Sequence, residues 1–164
     1  MPLGLSGSGN ITGGTFNRPI AQVNLSSDQT ITDNVSTVIA FNQVITDTNS
    51  CFNTSTSKFT PDVSGFYFVT VQAALGQAGG TESVEQIELI IFKNTDTISR
   101  AIFVPRSGEK IRDANLTCSA IPQMNGTSDF IQFEAKINTG GNVNEVIRGN
   151  STNITNFNIF KLNG

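Results

Sequence analysis

The stretch of sequence that decides the fold is Cys51–Leu75, which reads CFNTSTSKFTPDVSGFYFVTVQAAL. Pro61 has no N–H group to donate to a strand ladder, and Gly65 follows it closely, so the pattern predicts a turn between two strands. From position 66 onward the residues of one parity are all apolar: Tyr67, Val69, Val71, Ala73 and Leu75. This period of two predicts a strand with one face in a core. The other parity starts with Phe66 and Phe68 before it turns polar, so we expect its first part to contact something as well, such as a second chain.

The remainder of the chain repeats this strand-and-turn pattern. Strands are predicted at Ile20–Leu25, Val35–Asn42, Glu85–Lys93, Ile98–Val104, Leu116–Ile121, Phe130–Ile137 and Asn153–Leu162, with a short edge strand at Val146 and Ile147. The turn at Asn94-Thr95-Asp96 lacks glycine, which favours a hairpin loop of about three to five residues. There is no amphipathic helical pattern and no internal repeat. The sequence therefore predicts an all-β antiparallel sandwich or jelly roll.

The composition narrows the classes of function. Charged residues make up 14% of the chain, against roughly 25% in an average soluble protein. The net charge is −3 and the basic residues are scattered singly, so a nucleic-acid partner is not expected. No apolar run is long enough to span a membrane, and the N-terminus does not resemble a secretory signal. We therefore expect a protein made in a host cytoplasm with no membrane partner.

Nothing in the sequence suggests catalysis. The chain has no histidine, which removes the usual general base and the commonest metal ligand. Its aspartates fall at turns and strand ends, where side-chain bonds to backbone N–H groups explain them, and no nucleophile motif is present. We predict that the protein is not an enzyme, with no catalytic, cofactor-binding or metal-binding residues and no cofactor. The two cysteines, Cys51 and Cys118, are too few for a disulfide scaffold and are interpreted as free buried thiols.

The first 17 residues form a segment of different character. Five glycines separate single apolar residues, and no helical or strand period fits. One interpretation is a disordered tail. The other is an extended arm on a neighbouring subunit, with four anchoring residues: Leu3, Leu5, Ile11 and Phe16. We adopt the arm, so the predicted organisation is an arm at 1–17 and one domain at 18–164.

The central stretch also resembles a known family. Phe52, the Phe59-Thr60-Pro61 segment, Gly65 and Tyr67 are similar to the central signature of the C1q/TNF-like jelly-roll family. Further stretches resemble it at Leu89–Asn94, Asn125–Ile131 and Phe157–Leu162, although Thr95 stands where the family usually has glycine. The resemblance runs from about Ile20 to Leu162. Some members bind calcium, but the sequence contains no dense loop of acidic residues that identifies such a site.

The resemblance implies a ten-stranded jelly roll that associates as a tight homotrimer, with apolar side chains along the threefold axis. Phe66, Tyr67 and Phe68 are assigned to this trimer interface or to the core. The glycines of the first segment lack the period of a collagen stalk, so the chain looks more like a bacteriophage C1q-like structural protein than an animal ligand.

Three functions follow from this resemblance, and we rank them. The first is a capsid decoration (cement) protein on the outer capsid surface of a virion, bound to the major capsid protein through its arms. The second is a tail-fibre or receptor-binding adhesin module that recognises a host surface. The third is a secreted signalling ligand, which the absent signal disfavours.

Overall fold

The computed structural model describes residues 4–5, 11–12, 18–79, 84–106, 109, 111–141, 145–150 and 154–162. In the first segment, β1 (Gly4–Leu5) pairs antiparallel with β2 (Ile11–Thr12). Leu3 and Phe16 lie outside the described residues, and only the backbone of Leu5 and Ile11 is described. The anchoring role of these four residues therefore stays a prediction. Nowhere in the described ranges is there a helix long and apolar enough to cross a membrane.

Two antiparallel sheets pack face to face. The larger sheet contains β3 (Ile20–Asn24), β4 (Gln29–Ile31), β6 (Gln43–Asp47), β9 (Gly65–Gln77), β12 (Asp113–Ala120), β13 (Gln123–Met124), β15 (Glu145–Arg148) and β16 (Asn156–Lys161). The smaller sheet contains β5 (Thr37–Val38), β7 (Phe52–Asn53), β8 (Lys58–Phe59), β10 (Gln86–Lys93), β11 (Asp96–Phe103) and β14 (Ile131–Asn138). This sandwich confirms the predicted all-β class.

Strand β9 is the centre of the larger sheet. β16 and β15 pair with one edge of β9, and β12 and β13 pair with the other edge. The residues from Val69 to Gln72 pair with both β16 and β12, so this part of β9 has a neighbouring strand on each side. Its inward parity is fully or almost fully buried: Tyr67, Val69, Val71, Ala73 and Leu75. The alternation seen in the sequence is therefore confirmed, and the long strand gives the core one continuous wall.

Four phenylalanines from different elements meet in the core. Phe157 lies at the centre, with ring centroids 4.8 Å from Phe133, 4.9 Å from Phe41 and 5.0 Å from Phe52. The rings of Phe41 and Phe157 meet edge to face at 80°, an arrangement that aromatic quadrupoles favour. Because the four rings come from four separate segments, this cluster joins the two sheets.

Two local predictions are wrong. Lys93 pairs with Asp96, so the β10–β11 hairpin has a two-residue loop of Asn94 and Thr95 rather than a longer one. Asn94 has a positive φ of 56°, a conformation that asparagine tolerates better than most residues, so it can take the place of the missing glycine. The segment around Val146 is not an edge strand either, because β15 lies between β4 and β9.

The second predicted strand is shorter than expected. Within Val35–Asn42 only β5 is regular, and Ile39 and Phe41 are buried while Val35 is 49% exposed. Ile39 and Phe41 keep the alternating burial of a strand, but the chain leaves the ladder after two residues. The exposed edge strand β6, which follows, was not predicted because its residues carry no buried face.

Candidate functional site

The outer face of the larger sheet carries a row of large apolar side chains at one end. We call this the apolar row; its members are Ile20, Phe66, Phe68, Ile121 and Phe160. Ile20 is 42% exposed, Phe66 51%, Ile121 59% and Phe160 41%, while Phe68 is half-buried. Exposed apolar groups in a contiguous patch mark an interaction surface more often than scattered ones do.

Strand register brings these residues together. Ile20 on β3 pairs with Phe160 on β16, and Phe160 pairs with Phe68 on β9. The rings of Phe68 and Phe160 lie 5.3 Å apart. Ile121 follows β12, between Ala120, which pairs with Val69, and Pro122, whose carbonyl accepts a bond from the Tyr67 N–H. The row thus crosses four adjacent segments of one sheet.

The next rows of the same face are polar but uncharged. One row contains Gln22, Asn158, Thr70 and Ser119, and the following one contains Asn156, Gln72 and Thr117. A partner could cover this surface without removing a charge from water, which is the costliest part of burying a polar face. The face therefore combines an apolar end with a polar region that is easily desolvated.

The three residues predicted for the trimer interface or the core lie on two different faces of β9. Tyr67 points inward, is fully buried and donates its hydroxyl to the Val63 carbonyl oxygen at 2.7 Å. Burial raises the pKa of Tyr67 to about 12, with the nearby Cys51 and Asp62 adding to the effect. Phe66 and Phe68 lie on the opposite, outer face. Tyr67 is a core residue, and the two phenylalanines form part of the apolar row.

The described residues also contain a depression beside β13, lined by Ser64, Lys93, Gln123, Met124, Asn125 and Asp129. Asp129 accepts a bond from Asn94 Nδ2 at 3.0 Å and pairs with Lys93 Nζ at 3.0 Å. The bond from Asn94 and that from Lys93 hold the pKa of Asp129 below its usual range. This carboxylate therefore stays ionised and fastens two turns together, which is a structural role rather than an acid–base one.

Both cysteines lie in the interior. Cys51 and Cys118 are buried and free. Burial raises the pKa of each thiol to about 11. Because the thiolate is the reactive form, both are poor nucleophiles at neutral pH.

The sequence also matches a known protein family. The family model of the C1q domain matches residues 22–110, more than half of the chain. The chain belongs to the C1q domain family. No curated protein sequence matches this C1q domain. C1q/TNF-like domains are typically binding modules rather than enzymes.

Solved structures show the same fold beyond the matched segment. The globular domain of zebrafish complement 1qA protein is 17% identical to this C1q domain, with a TM-score of 0.62 over 90% of this chain and 98% of that one. Murine APRIL, crystallised at pH 8.5, is 11% identical, with a TM-score of 0.63 over 89% of this chain and 100% of that one. These likenesses confirm the C1q/TNF-like sandwich that the sequence motifs predicted.

Sequence reasoning found only part of the apolar row. Phe66 and Phe68 were singled out because they interrupt the polar parity of β9. Ile20, Ile121 and Phe160 were missed, because each is a single apolar residue at the end of its own strand. Only the register between strands places them beside Phe68, and register was not predicted.

Proposed function

We propose that this C1q-domain protein is a homotrimeric structural protein of a virus particle, where it decorates the outer surface of the capsid. The observation that carries the proposal is the apolar row, since a lone domain would leave these side chains in water. Covering them with a second copy of the chain removes this exposure. The uncharged rows beside it enlarge the area that a copy could cover at low desolvation cost.

A closed ring of three copies needs two different patches on each subunit, because its contacts are head-to-tail. The apolar row supplies one patch. A second group of exposed apolar residues lies at the end of β11, on the other sheet, where Ile102 is 47% and the following Val104 62% exposed. We infer that the apolar row of one subunit packs near this end of β11 in the next. A stable contact of this kind covers about 800 Å² on each partner.

The capsid role rests on the segment that precedes the domain. Three copies of residues 1–17 on one trimer would multiply affinity for the major capsid protein through effective concentration. Leu3, Leu5, Ile11 and Phe16 are the proposed anchors. A protein that binds only the assembled shell stabilises that shell by mass action. The chain would be made in the host cytoplasm and then added to the capsid.

The first test is the oligomeric state in solution. Sedimentation equilibrium of the full chain is expected to give a trimer, and Phe68→Asp is expected to give a monomer with an unchanged circular dichroism spectrum. Val35→Asp is the matched control, because Val35 is 49% exposed but lies outside the apolar row; it should stay trimeric. A monomeric wild-type protein, or a Phe68→Asp trimer as stable as the wild type, would contradict the proposal.

The second test concerns the capsid. Purified full-length protein and a version lacking residues 1–17 are mixed with undecorated capsids and sedimented. Co-sedimentation of the full chain and its loss on truncation are expected. If the full chain forms a trimer that never sediments with capsids, the decoration role is wrong, and binding to host surfaces becomes the function to measure.

A further inference from the structure

Two acidic side chains meet at the end of the sandwich where β9 stops. Asp33 follows β4, and Glu145 begins β15. Glu145 is fully buried, whereas Asp33 is half-buried. Their carboxyl groups are in direct hydrogen-bonding contact. We call Asp33 and Glu145 the acid pair; it includes no residue of the apolar row.

Thr139, which follows β14, holds both members of the acid pair. Its N–H donates to Asp33 Oδ1 at 2.9 Å. Its hydroxyl oxygen lies 2.9 Å from Glu145 Oε1 and 3.3 Å from Asp33 Oδ1. The acid pair therefore joins the turn after β4 to the end of β14 and the start of β15.

The contact between the two carboxyl groups requires a proton. Ionised carboxylates only accept hydrogen bonds, so two of them repel each other and cannot bond. Glu145 Oε2 is buried and receives no hydrogen bond from the N–H and O–H groups of the described residues. A proton on Glu145 makes the carboxyl group a donor, and the Asp33 carboxylate is in place to accept. One proton thus replaces a repulsion with a hydrogen bond.

No basic side chain forms an ion pair with either acid in the described part of the chain. Arg148 lies three positions after Glu145, which places its side chain on the opposite face of β15. Its guanidinium binds Asp113, Asp28 and the Gln77 carbonyl oxygen. This cation is therefore committed elsewhere and does not offset the charge of the acid pair.

The other elements packed around Glu145 add a further acid. β9 places Gln77, an uncharged amide, directly opposite Glu145. The carboxylate of Glu85 occupies the space that a side chain at Gly140, in the turn after β14, would need. Arg112 is exposed and contributes its backbone carbonyl, which accepts from the Gln77 N–H. These surroundings favour the protonated form of a buried carboxyl group.

The titration of Glu145 agrees with this geometry. Burial raises the pKa of Glu145, and Asp33 raises it further through its charge and its hydrogen bond. Because the two carboxyl groups touch, the proton belongs to the pair rather than to one residue. The chain has no histidine, the side chain that usually titrates just above the ordinary range of carboxyl groups. A pH dependence in that range can therefore be assigned to the acid pair.

We propose that the acid pair is a proton-dependent link, which holds one shared proton in the folded protein and weakens this end of the sandwich when the proton leaves. Unfolding exposes Glu145 and returns its pKa to the ordinary 4.5. Above that pH the folded chain binds more protons than the unfolded chain. The stability from the link is therefore complete below pH 4.5 and is lost as the pH rises through the folded-state pKa.

The test is urea unfolding of the full-length protein at one protein concentration, over a pH series from about 4.5 to 7.5. The unfolding constant of the wild type should rise with pH, by up to about tenfold per pH unit for one proton, and then level off. Infrared difference spectra of the folded protein should show the band of a protonated carboxyl group that disappears over the same pH range.

Three variants separate the acid pair from other causes. Glu145→Gln carries an amide that donates to Asp33 at every pH, so this rise and the infrared band should be absent, and at pH 7 it should be at least as stable as the wild type. Asp33→Asn removes the neighbouring charge but leaves the burial, so it should reduce the rise. Glu88→Gln is the matched control and should keep the wild-type rise, since Glu88 is buried in the smaller sheet and pairs with Arg100.

The opposite results are equally distinct. An equal rise in the wild type and in Glu145→Gln would overturn the proposal, because the pH dependence would then come from other groups. A Glu145→Gln chain that fails to fold, or that is less stable than the wild type at pH 7, would also overturn it, because the amide should replace the shared proton.

Discussion

At the scale of single residues, Tyr67 connects the turn after Pro61 to the core. Its ring is fully buried and meets Phe59 edge to face at 6.0 Å, while its hydroxyl reaches back to the Val63 carbonyl. This one side chain therefore fixes where the turn ends and where β9 begins. The sequence resemblance marked Tyr67 as important, and the structure supplies the physical reason.

We predict that Tyr67→Phe lowers the free energy of unfolding by about 1 kcal/mol at pH 7, because it removes one buried hydrogen bond. The pKa of Tyr67 is about 12, above the ordinary value of 10.0. Its contribution to stability is therefore complete below pH 10 and is lost as the pH rises towards 12. The gap between wild type and variant should shrink over this range in urea titrations. A gap that stays constant up to pH 12 would contradict the assignment.

Phe157 is the residue on which the aromatic core depends most, since three other rings pack against it. Phe157→Ala should cost about 3–5 kcal/mol of unfolding free energy, the range for emptying a buried phenylalanine site. Val35→Ala, at an exposed apolar position, should change it by less than about 0.5 kcal/mol. Chemical denaturation of the two variants checks both values, and equal losses would show that the cluster is not central.

At the scale of elements, the β10–β11 hairpin depends on the side chain of its first loop residue. Asn94 holds a left-handed backbone conformation, donates to Asp129 and accepts from the Phe130 N–H at 3.0 Å. It thereby attaches the hairpin loop to the turn that precedes β14. A glycine would fit the backbone, but it could not make these two bonds.

This predicts an order of stability among Asn94 variants. Asn94→Gly keeps the permitted conformation and loses two bonds, whereas Asn94→Ala loses the same bonds and also strains the backbone. The alanine variant should be the least stable, by about 1 kcal/mol relative to glycine, and both should fall below the wild type. Midpoints in urea measure the order. If glycine equalled the wild type, the bonds to Asp129 and Phe130 would contribute nothing.

Strands whose period was clear were predictable from the sequence, and contacts between strands were not. The alternation in β9, β10 and β14 follows from one buried face, which a single sequence displays directly. The apolar row depends on Ile20, Phe160 and Phe68 standing side by side, which is a property of register.

At the scale of the whole molecule, the last strand completes the sheet that the first strand begins. β16 lies between β3 and β9 and contributes Phe157 and Ile159 to the core. Folding must therefore bring distant parts of the chain together, which makes it slow, on the order of milliseconds to seconds. Until β16 docks, β3 and β9 each present an open edge.

We predict that a chain ending at Thr155 does not fold. It lacks the central β16, so it should show no cooperative thermal transition and should aggregate through its open strand edges. A chain ending at Leu162 is the control and should unfold cooperatively like the full protein. Circular dichroism during heating distinguishes the two. A cooperative transition in the shorter chain would mean that the sandwich closes without its last strand.

The position of β16 beside β3 has a further consequence. The Lys161 N–H donates to the Pro19 carbonyl at 3.1 Å, so the two ends of the domain touch. A linker of a few residues could join them, and new ends could be opened in the turn between β7 and β8. Such a circular permutant should reach the same sandwich, because final contacts do not depend on where the chain is cut. It would change only the order of synthesis, so that β16 would already be present beside β9 when β3 is made.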